Sequence, residues 1–227
     1  WKRMAALVSN TLPDVELAQY VGWLKVQLKN VSTEQKAQAS RRYFPKGIKV
    51  VGANVQDIKQ LIKTFHHTHH QLTPEQVLEV SEQLLASASF SEEVMVAFGL
   101  INKYVKKHYD DELLTRFKYW LETYANNWAL VDDLCMKSLF NFLLARPYLI
   151  EKTQTWSHSE ISWCRRASNV AWVKFIRRPI GRDIYYLNPK LVFENCETVM
   201  ADADEFVQKS IGWLLKVTAI HHKHAVV

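Results

Sequence analysis

The feature that most constrains the fold of this chain is a three- and four-residue spacing of apolar side chains that recurs along most of its length. One run joins Leu17, Val21, Leu24 and Leu28, and others lie within residues 58–65, 94–105 and 113–121. An α-helix with one buried stripe has this period, whereas a half-buried strand alternates with a period of two. No comparably long run alternates. The spacing therefore predicts an all-α fold of about ten or eleven helices.

Helix-start signals and a low content of glycine and proline also indicate an all-α fold. Ser32 to Gln35 and Thr73 to Gln76 have the spacing of capping boxes, and Pro74 takes a first helical position. Only 6 glycines and 6 prolines occur in 227 residues, too few for an all-β fold. No two glycines are separated by one residue, and no GxxxxGK pattern occurs. Dinucleotide fingerprints and phosphate-cradling loops are therefore excluded.

A weak internal repeat suggests how the helices are arranged. The segment from Phe206 to Trp213 aligns with that from Trp163 to Val170 at an offset of 43 residues, and Val94 to Ile101 is a weaker third copy. Periods of about 40 to 47 residues are typical of HEAT-like helix pairs, which stack into a curved solenoid. Unrelated helices can also match over so short a segment, so both interpretations stay open. The length of the chain predicts a single domain over residues 1–227.

The charge distribution favours a polyanionic partner. Lys and Arg number 29 and Asp and Glu 23, which gives a net charge of +6. Any one basic cluster is most simply a solvated helix face, but three clusters favour a surface for nucleic acid. They are Arg41, Arg42, Lys46 and Lys49; Lys103, Lys106, Lys107 and His108; and seven basic residues between Trp163 and Lys190, against the single acid Asp183.

Other classes of site find no support in the residue pattern. Three widely spaced cysteines, Cys135, Cys164 and Cys196, form no CxxC pair, which argues against a disulfide framework or a zinc finger. A histidine cluster at His66, His67, His69 and His70 has no acidic or thiolate neighbour that would complete a metal site, so we interpret it as a surface helix end. No apolar run approaches the length of a membrane span. We expect a monomeric, cytoplasmic protein that uses no cofactor or metal and binds no membrane.

The segment from Asn126 to Leu134 is the most informative in the chain. Trp128 and Asp132 are four residues apart, so on a helix they share one face. Asp133 has a partner at i+4 in Lys137, whereas Asp132 has Met136 there, so its charge has no explanation within its own helix. Taken alone, Trp128 is more simply a core residue.

Several motifs, taken in order, resemble the AlkD-type DNA alkylation repair glycosylases. They are Tyr43 in Arg42-Tyr43-Phe44, Trp128 and Asp132 in Asn127-Trp-Ala-Leu-Val-Asp132, Arg166 in Trp163-Cys-Arg-Arg166-Ala, and Trp213 at the end of Phe206 to Trp213. The resemblance extends from about Tyr43 to the end of the chain. It implies a HEAT-like solenoid whose concave, basic groove holds a lesion-bearing nucleotide within duplex DNA.

Carried over residue by residue, the resemblance gives each of these side chains a role. It makes Asp132 the catalytic carboxylate, Arg166 a DNA contact near the lesion, and Trp128, Trp213 and Tyr43 the lesion cradle. Arg165 and Arg166 are about 100° apart on a helix, so they cannot both reach one phosphate. We expect further DNA contacts from Arg165, Lys174, Arg177, Arg178 and Lys209.

Two departures from the family pattern stand out. Asn127 occupies a position where relatives often have a second tryptophan. The family also usually continues through another helix pair, so we expect the last repeat of this chain to be incomplete.

The residue chemistry agrees with a glycosylase. A purine alkylated at N3 or N7 is cationic and leaves as a neutral base, so no general acid is needed and one carboxylate can stabilise the oxocarbenium-like sugar. We therefore expect hydrolytic excision of 3-methyladenine and 7-methylguanine types from double-stranded DNA. A non-catalytic HEAT-like DNA-binding module is the first alternative, and a solenoid that binds an acidic protein is the second.

Overall fold

The computed structural model describes residues 10–226 and confirms the predicted all-α class. The first six helices are α1 (Asp14–Val31), α2 (Glu34–Arg41), α3 (Val55–Thr68), α4 (Pro74–Ala86), α5 (Ser91–Leu100) and α6 (Leu113–Thr123). The next six are α7 (Trp128–Met136), α8 (Ser138–Leu144), α9 (Ser162–Val170), α10 (Pro189–Val199), α11 (Glu205–His221) and α12 (Lys223–Val226). Short 3-10 helices cover Ile101–Lys103, Pro147–Leu149 and Glu151–His158. Residues 1–9 and 227 of the predicted 1–227 domain lie outside the described residues.

Six of the helices stack on one another in chain order. α1 contacts α3, which contacts α5, and the series continues through α7, α9 and α11. We call these six helices the stacked row. α4 packs against α1 and α5, and α10 packs against α9 and α11, so these two helices lie beside the stacked row in a second layer. This order is that of a helical repeat, and the assignment of its repeats to the HEAT type stays a prediction.

Buried polar bonds fix neighbouring helices of the stacked row relative to each other. The side-chain amide of Asn127, at the start of α7, donates to the Ser91 hydroxyl in α5 (3.0 Å). The amide of Asn169 in α9 donates to the Ser210 hydroxyl in α11 (3.0 Å). All four residues are buried within one continuous apolar cluster. An unpaired amide there would cost about 1–3 kcal/mol, so these pairs specify the register between helices.

The structure confirms one predicted capping box and corrects the other. At α4 the Thr73 hydroxyl accepts the N–H of Gln76, and the Gln76 side chain accepts the N–H of Thr73. The cap of α2 is Thr33, whose hydroxyl accepts the N–H of Lys36 (3.2 Å). The predicted box from Ser32 to Gln35 is wrong because the Ser32 hydroxyl donates to the Leu28 carbonyl (2.7 Å), at the end of α1.

A short β-hairpin, absent from the sequence predictions, interrupts the helices after α9. Strand β1 (Arg177–Ile180) pairs antiparallel with β2 (Asp183–Tyr186) through a two-residue turn. Gly181 opens the turn at φ +63°, which glycine adopts without strain. Strands of four residues are too short for a period of two to stand out from the helical pattern. Two features of the sequence could have indicated the hairpin. They are Gly181 at the turn and the β-branched and aromatic residues from Ile184 to Tyr186.

Among the described residues, no helix combines the length and apolar character needed to cross a bilayer.

Candidate active site

The start of α7 is fixed by Asn127. Its side-chain oxygen accepts the N–H groups of Ala129 (3.0 Å) and Leu130 (3.2 Å), as an N-cap residue does. Asn127, which replaces the second tryptophan of many relatives, thus has a structural role as a helix cap. The sequence signal for this cap was an Asn directly before an apolar helical run. Because α7 begins at Trp128, Asp132 follows it by one turn on the same side of the helix.

Trp128 lies against the segment that follows α2. Its indole N–H donates to the Tyr43 carbonyl (3.2 Å), and its ring centre is 6.1 Å from that of Phe44. The phenol of Tyr43 is 75% exposed. The structure therefore brings the predicted Tyr43 beside Trp128, with the contact made by the backbone of Tyr43. Phe44, which the sequence analysis did not single out, supplies the neighbouring aromatic ring.

The segment between α2 and α3 is tied to α5 by a buried carboxylate. Glu92 accepts the backbone N–H groups of Val51 (3.0 Å) and Gly52 (2.9 Å). Gly52 has φ +100°, and a Cβ there would collide with the Thr33 carbonyl oxygen. This close approach, which requires glycine, holds the segment that carries Tyr43 in place.

The carboxylate of Asp132 is held by Arg166, which projects from α9. Nε of Arg166 donates to Oδ1 (3.0 Å) and Nη2 donates to Oδ2 (3.0 Å), a forked pair. The remaining terminal nitrogen donates to the Phe206 carbonyl in α11 (2.6 Å). The Arg166 side chain is 7% exposed and that of Asp132 19%. The pair therefore buries the guanidinium and leaves an edge of the carboxylate accessible.

Burial and the ion pair act on Asp132 in opposite directions. Burial raises the pKa of the Asp132 carboxyl above its usual value, and the Arg166 hydrogen bonds and charge oppose that rise. The next residue, Asp133, pairs with Lys137 (2.7 Å) as the i+4 spacing predicts. Burial holds the pKa of the Cys135 thiol well above its usual value, so this cysteine stays protonated.

Arg166 is placed differently from the phosphate contact that we expected. Each of its three guanidinium nitrogens donates to an atom of the protein, two to Asp132 and one to Phe206. Sequence spacing could not reveal this, because Asp132 and Arg166 are 34 residues apart and lie on neighbouring helices of the stacked row. The DNA contact of Arg166 stays a prediction, while its bond to Asp132 is the observed arrangement.

Trp213 lies further along the stacked row. It is half-buried on α11, seven residues after Phe206, so the two residues share a face about 10 Å apart along the helix. Bonds from Arg166 to Phe206 and from Asn169 to Ser210 show that α9 and α11 run side by side in the same direction. The backbone of Trp213 is therefore about two turns along α11 from the Phe206 carbonyl that Arg166 contacts. Tyr43, Trp128, Asp132 and Arg166 come together, and the place of Trp213 in the lesion cradle stays a prediction.

The other predicted DNA contacts fall into two groups. Four have protein partners. Arg165 pairs with Asp202; Lys174 donates to the Met136 carbonyl (3.2 Å); Arg178 donates to the Lys174 carbonyl (2.8 Å); and Lys209 pairs with Glu205 (3.1 Å). Arg177 is exposed on β1, about 6.0 Å from the Tyr186 ring. Their contacts with DNA stay predictions.

The histidine cluster is partly packed into the protein. His66 and His69 are half-buried and contact the ring of Phe65 at 5.8 Å and 4.9 Å. Burial lowers the pKa of His66 to about 4. Within residues 10–226, no group of three or more His, Cys, Asp or Glu side chains could hold a metal ion.

Comparisons with known proteins identify the family and the fold of the chain. The family model for DNA alkylation repair enzymes matches residues 24–227. A solved structure described as a predicted DNA alkylation repair enzyme from Enterococcus faecalis superposes with a TM-score of 0.72 at 18% identity, over 86% of each chain. At that identity the match shows a shared helical-repeat fold.

A second solved structure is more distant. It is the Pseudomonas fluorescens alkylpurine DNA glycosylase AlkC bound to DNA containing an abasic site analog. It superposes with a TM-score of 0.43 at 14% identity, over 95% of this chain and 58% of that chain. A comparison with curated proteins finds no match.

Proposed function

The chain belongs to the DNA alkylation repair enzyme family, and on that premise we propose that it is a DNA glycosylase. Its substrates are cationic N3- or N7-alkylated purines in duplex DNA, and its reaction is hydrolysis of the N-glycosidic bond. The observation that carries this proposal is the Asp132 carboxylate, fixed by Arg166 one helical turn from Trp128 and still partly accessible.

The proposed reaction needs one negative charge at the sugar. Water adds to C1′ as the bond from C1′ to the purine nitrogen breaks. The bonding electrons go to the purine, which leaves as a neutral base, and the proton of the water goes to solvent. Positive charge develops on the sugar during this step, and Asp132 stabilises it or orients the water. The forked bond to Arg166 occupies one acceptor position on each oxygen and leaves the others for substrate.

Arg166 acts as a positioning residue in this proposal. Its fork fixes the plane of the carboxylate before substrate arrives, so no reorganisation is needed in the transition state. Its positive charge also favours the ionised form of Asp132, against the effect of burial.

Trp128 supplies recognition of damage. Its N–H is bonded to the Tyr43 carbonyl, which holds the plane of the indole ring. A cationic base or the developing sugar cation gains about 0.5–2 kcal/mol from an aromatic face, and a neutral base gains less. The positive charge of the lesion therefore becomes the feature that is selected.

A non-catalytic DNA-binding module is the second candidate, and the ion pair itself favours it. Because Arg166 compensates the charge of Asp132, less net negative charge remains to stabilise a cationic sugar.

Base release from methylated duplex DNA separates the two candidates. Wild type and Asp132→Asn are compared, with Asp133→Asn as a matched control because that carboxylate neighbours the site but pairs with Lys137. We expect Asp132→Asn to slow release by about 100- to 1000-fold with little change in duplex affinity, and Asp133→Asn to retain activity. Duplex binding without base release by the wild type would establish the binding module instead.

A further inference from the structure

The β-hairpin is anchored to the protein through one of its two faces. The guanidinium of Arg178 lies 5.3 Å from the centre of the Phe140 ring in α8, and its Nε donates to the Lys174 carbonyl. The ring of Tyr185, directly opposite Arg178, meets Phe175 edge-on at 6.2 Å. The backbone of Leu187, directly after β2, donates to the Phe175 carbonyl (3.3 Å). The hairpin therefore has a fixed position beside the end of α9.

The opposite face of the hairpin is open. Strand alternation turns the pairs Arg177 with Tyr186 and Pro179 with Ile184 outward. Tyr186 is 53% exposed and Ile184 43%. Arg182 is exposed in the turn. Cationic, aromatic and apolar groups thus share one short, rigid surface.

Charge selects a polyanion for this surface. Between residues 174 and 190 the chain carries Lys174, Arg177, Arg178, Arg182 and Lys190 against Asp183 alone. Of the exposed arginines, Arg177 stacks loosely on Tyr186 at 6.0 Å. Neither Arg177 nor Arg182 joins any of the ion pairs found in the described part of the chain.

The backbone of the hairpin argues against a protein strand as the partner. β1 has only four residues, and Pro179 removes an N–H donor from it. Short edge strands that contain proline resist the addition of another strand. By contrast, arginines beside exposed apolar residues suit a duplex, because the arginines meet phosphates while apolar side chains reach the minor groove.

The hairpin also lies near the candidate active site. The Lys174 ammonium, three residues before β1, donates to the carbonyl of Met136, which is one turn beyond Asp132 on α7. The base of the hairpin is therefore tied to the C-terminal end of α7, the helix that carries Asp132.

We infer that the outer face of the hairpin is a second DNA-contact element, which binds the duplex outside the lesion through Arg177 and Arg182. The inference rests on the proposed function only in taking duplex DNA as the partner. Lys174 and Arg178, for which the sequence also predicts DNA contacts, hold the hairpin in place.

The test measures how duplex affinity depends on salt, with undamaged DNA and the full chain. The variant Arg177→Gln with Arg182→Gln removes two exposed charges without touching the anchored face. The control, Arg116→Gln with Lys118→Gln, removes two charges from α6, where each cation faces an acid, Glu82 or Glu122. A plot of log K against log salt has a negative slope, and each lost phosphate contact should make that slope less steep by about 0.9.

We expect the slope to become less steep by about 1.8 in the hairpin variant and to stay unchanged in the control. An unchanged slope in the hairpin variant, or an equal change in the control, would overturn the inference. Base release at saturating enzyme should be the same in the control variant and the wild type. Absence of release from both, with the salt slopes as expected, would refute the proposed glycosylase and leave the hairpin contact standing.

Discussion

Arg166 donates hydrogen bonds to both oxygens of the Asp132 carboxylate from the neighbouring helix of the stacked row. The arrangement makes the local charge of the site depend on two helices rather than one. Loss of Arg166 therefore alters the protonation of Asp132 as well as its position.

Loss of Arg166 should move the pH dependence of base release. In Arg166→Gln the hydrogen bonds and charge that oppose the burial of Asp132 are gone, so its pKa rises further. Because the proposed reaction uses the ionised carboxylate, the acid limb of the rate profile should shift to higher pH. Arg165→Gln, which breaks a pair with Asp202 instead, should leave that limb in place. A limb that stays unmoved in Arg166→Gln would show that Asp132 does not govern it.

Trp128 should control discrimination between damaged and undamaged DNA. On an Asp132→Asn background, where the lesion survives, Trp128→Leu should reduce the preference for alkylated duplex by about 2- to 30-fold, which corresponds to about 0.5–2 kcal/mol. Trp128→Phe keeps an aromatic face and should lose less. Binding titrations with matched damaged and undamaged duplexes measure the ratio, and an equal ratio in all three proteins would exclude aromatic recognition at this residue.

Gly52 should tolerate alanine far less than Gly47 does. Both have positive φ, +100° and +96°, so both substitutions carry a backbone cost of about 1–2 kcal/mol. Only at Gly52 does the new methyl meet backbone, at the Thr33 carbonyl, while the space beside Gly47 is open. Chemical denaturation should show that Gly52→Ala loses about 1–3 kcal/mol more of the free energy of unfolding. Equal losses would mean that the segment from Tyr43 to Gly52 moves without cost.

His66 should make the folded state less stable in mild acid. Its pKa is about 4 in the folded protein against an ordinary value of 6.5, so the unfolded chain takes up the proton first as the pH falls. The stability is complete above about pH 6.5 and is lost progressively towards pH 4, with up to about one proton taken up on unfolding. His66→Gln should flatten this part of the unfolding profile, whereas the exposed His67→Gln should leave it unchanged. A profile that His66→Gln does not alter would assign the acid sensitivity to other groups.

The sequence predicted most of the helices because each carries its own signals. Apolar spacing marked α1, α3, α5 and α6, and the Thr73 box marked the start of α4. The short hairpin was missed, because four-residue strands give too few alternations to outweigh the helical periodicity around them.

The features of the candidate site also fall into those that the sequence could predict and those that it could not. That Trp128 and Asp132 share a helix face, and that Asp133 pairs with Lys137, follow from spacing along one helix, so they could be predicted. Other contacts join residues far apart in the sequence. Arg166 and Asp132 are 34 positions apart, Trp128 and Tyr43 are 85 apart, and Arg178 and Phe140 are 38 apart. Spacing along one helix could not predict these contacts.

The sequence by itself determined the fold class and the faces of the helices, because these depend on local periodicity and side-chain type. Only the tertiary structure decided that the charge of Asp132 is compensated by Arg166 and that Arg165 pairs with Asp202. The physical reason is that such pairings depend on how neighbouring helices pack, and the register between helices is set by buried contacts such as Asn127 with Ser91 and Asn169 with Ser210.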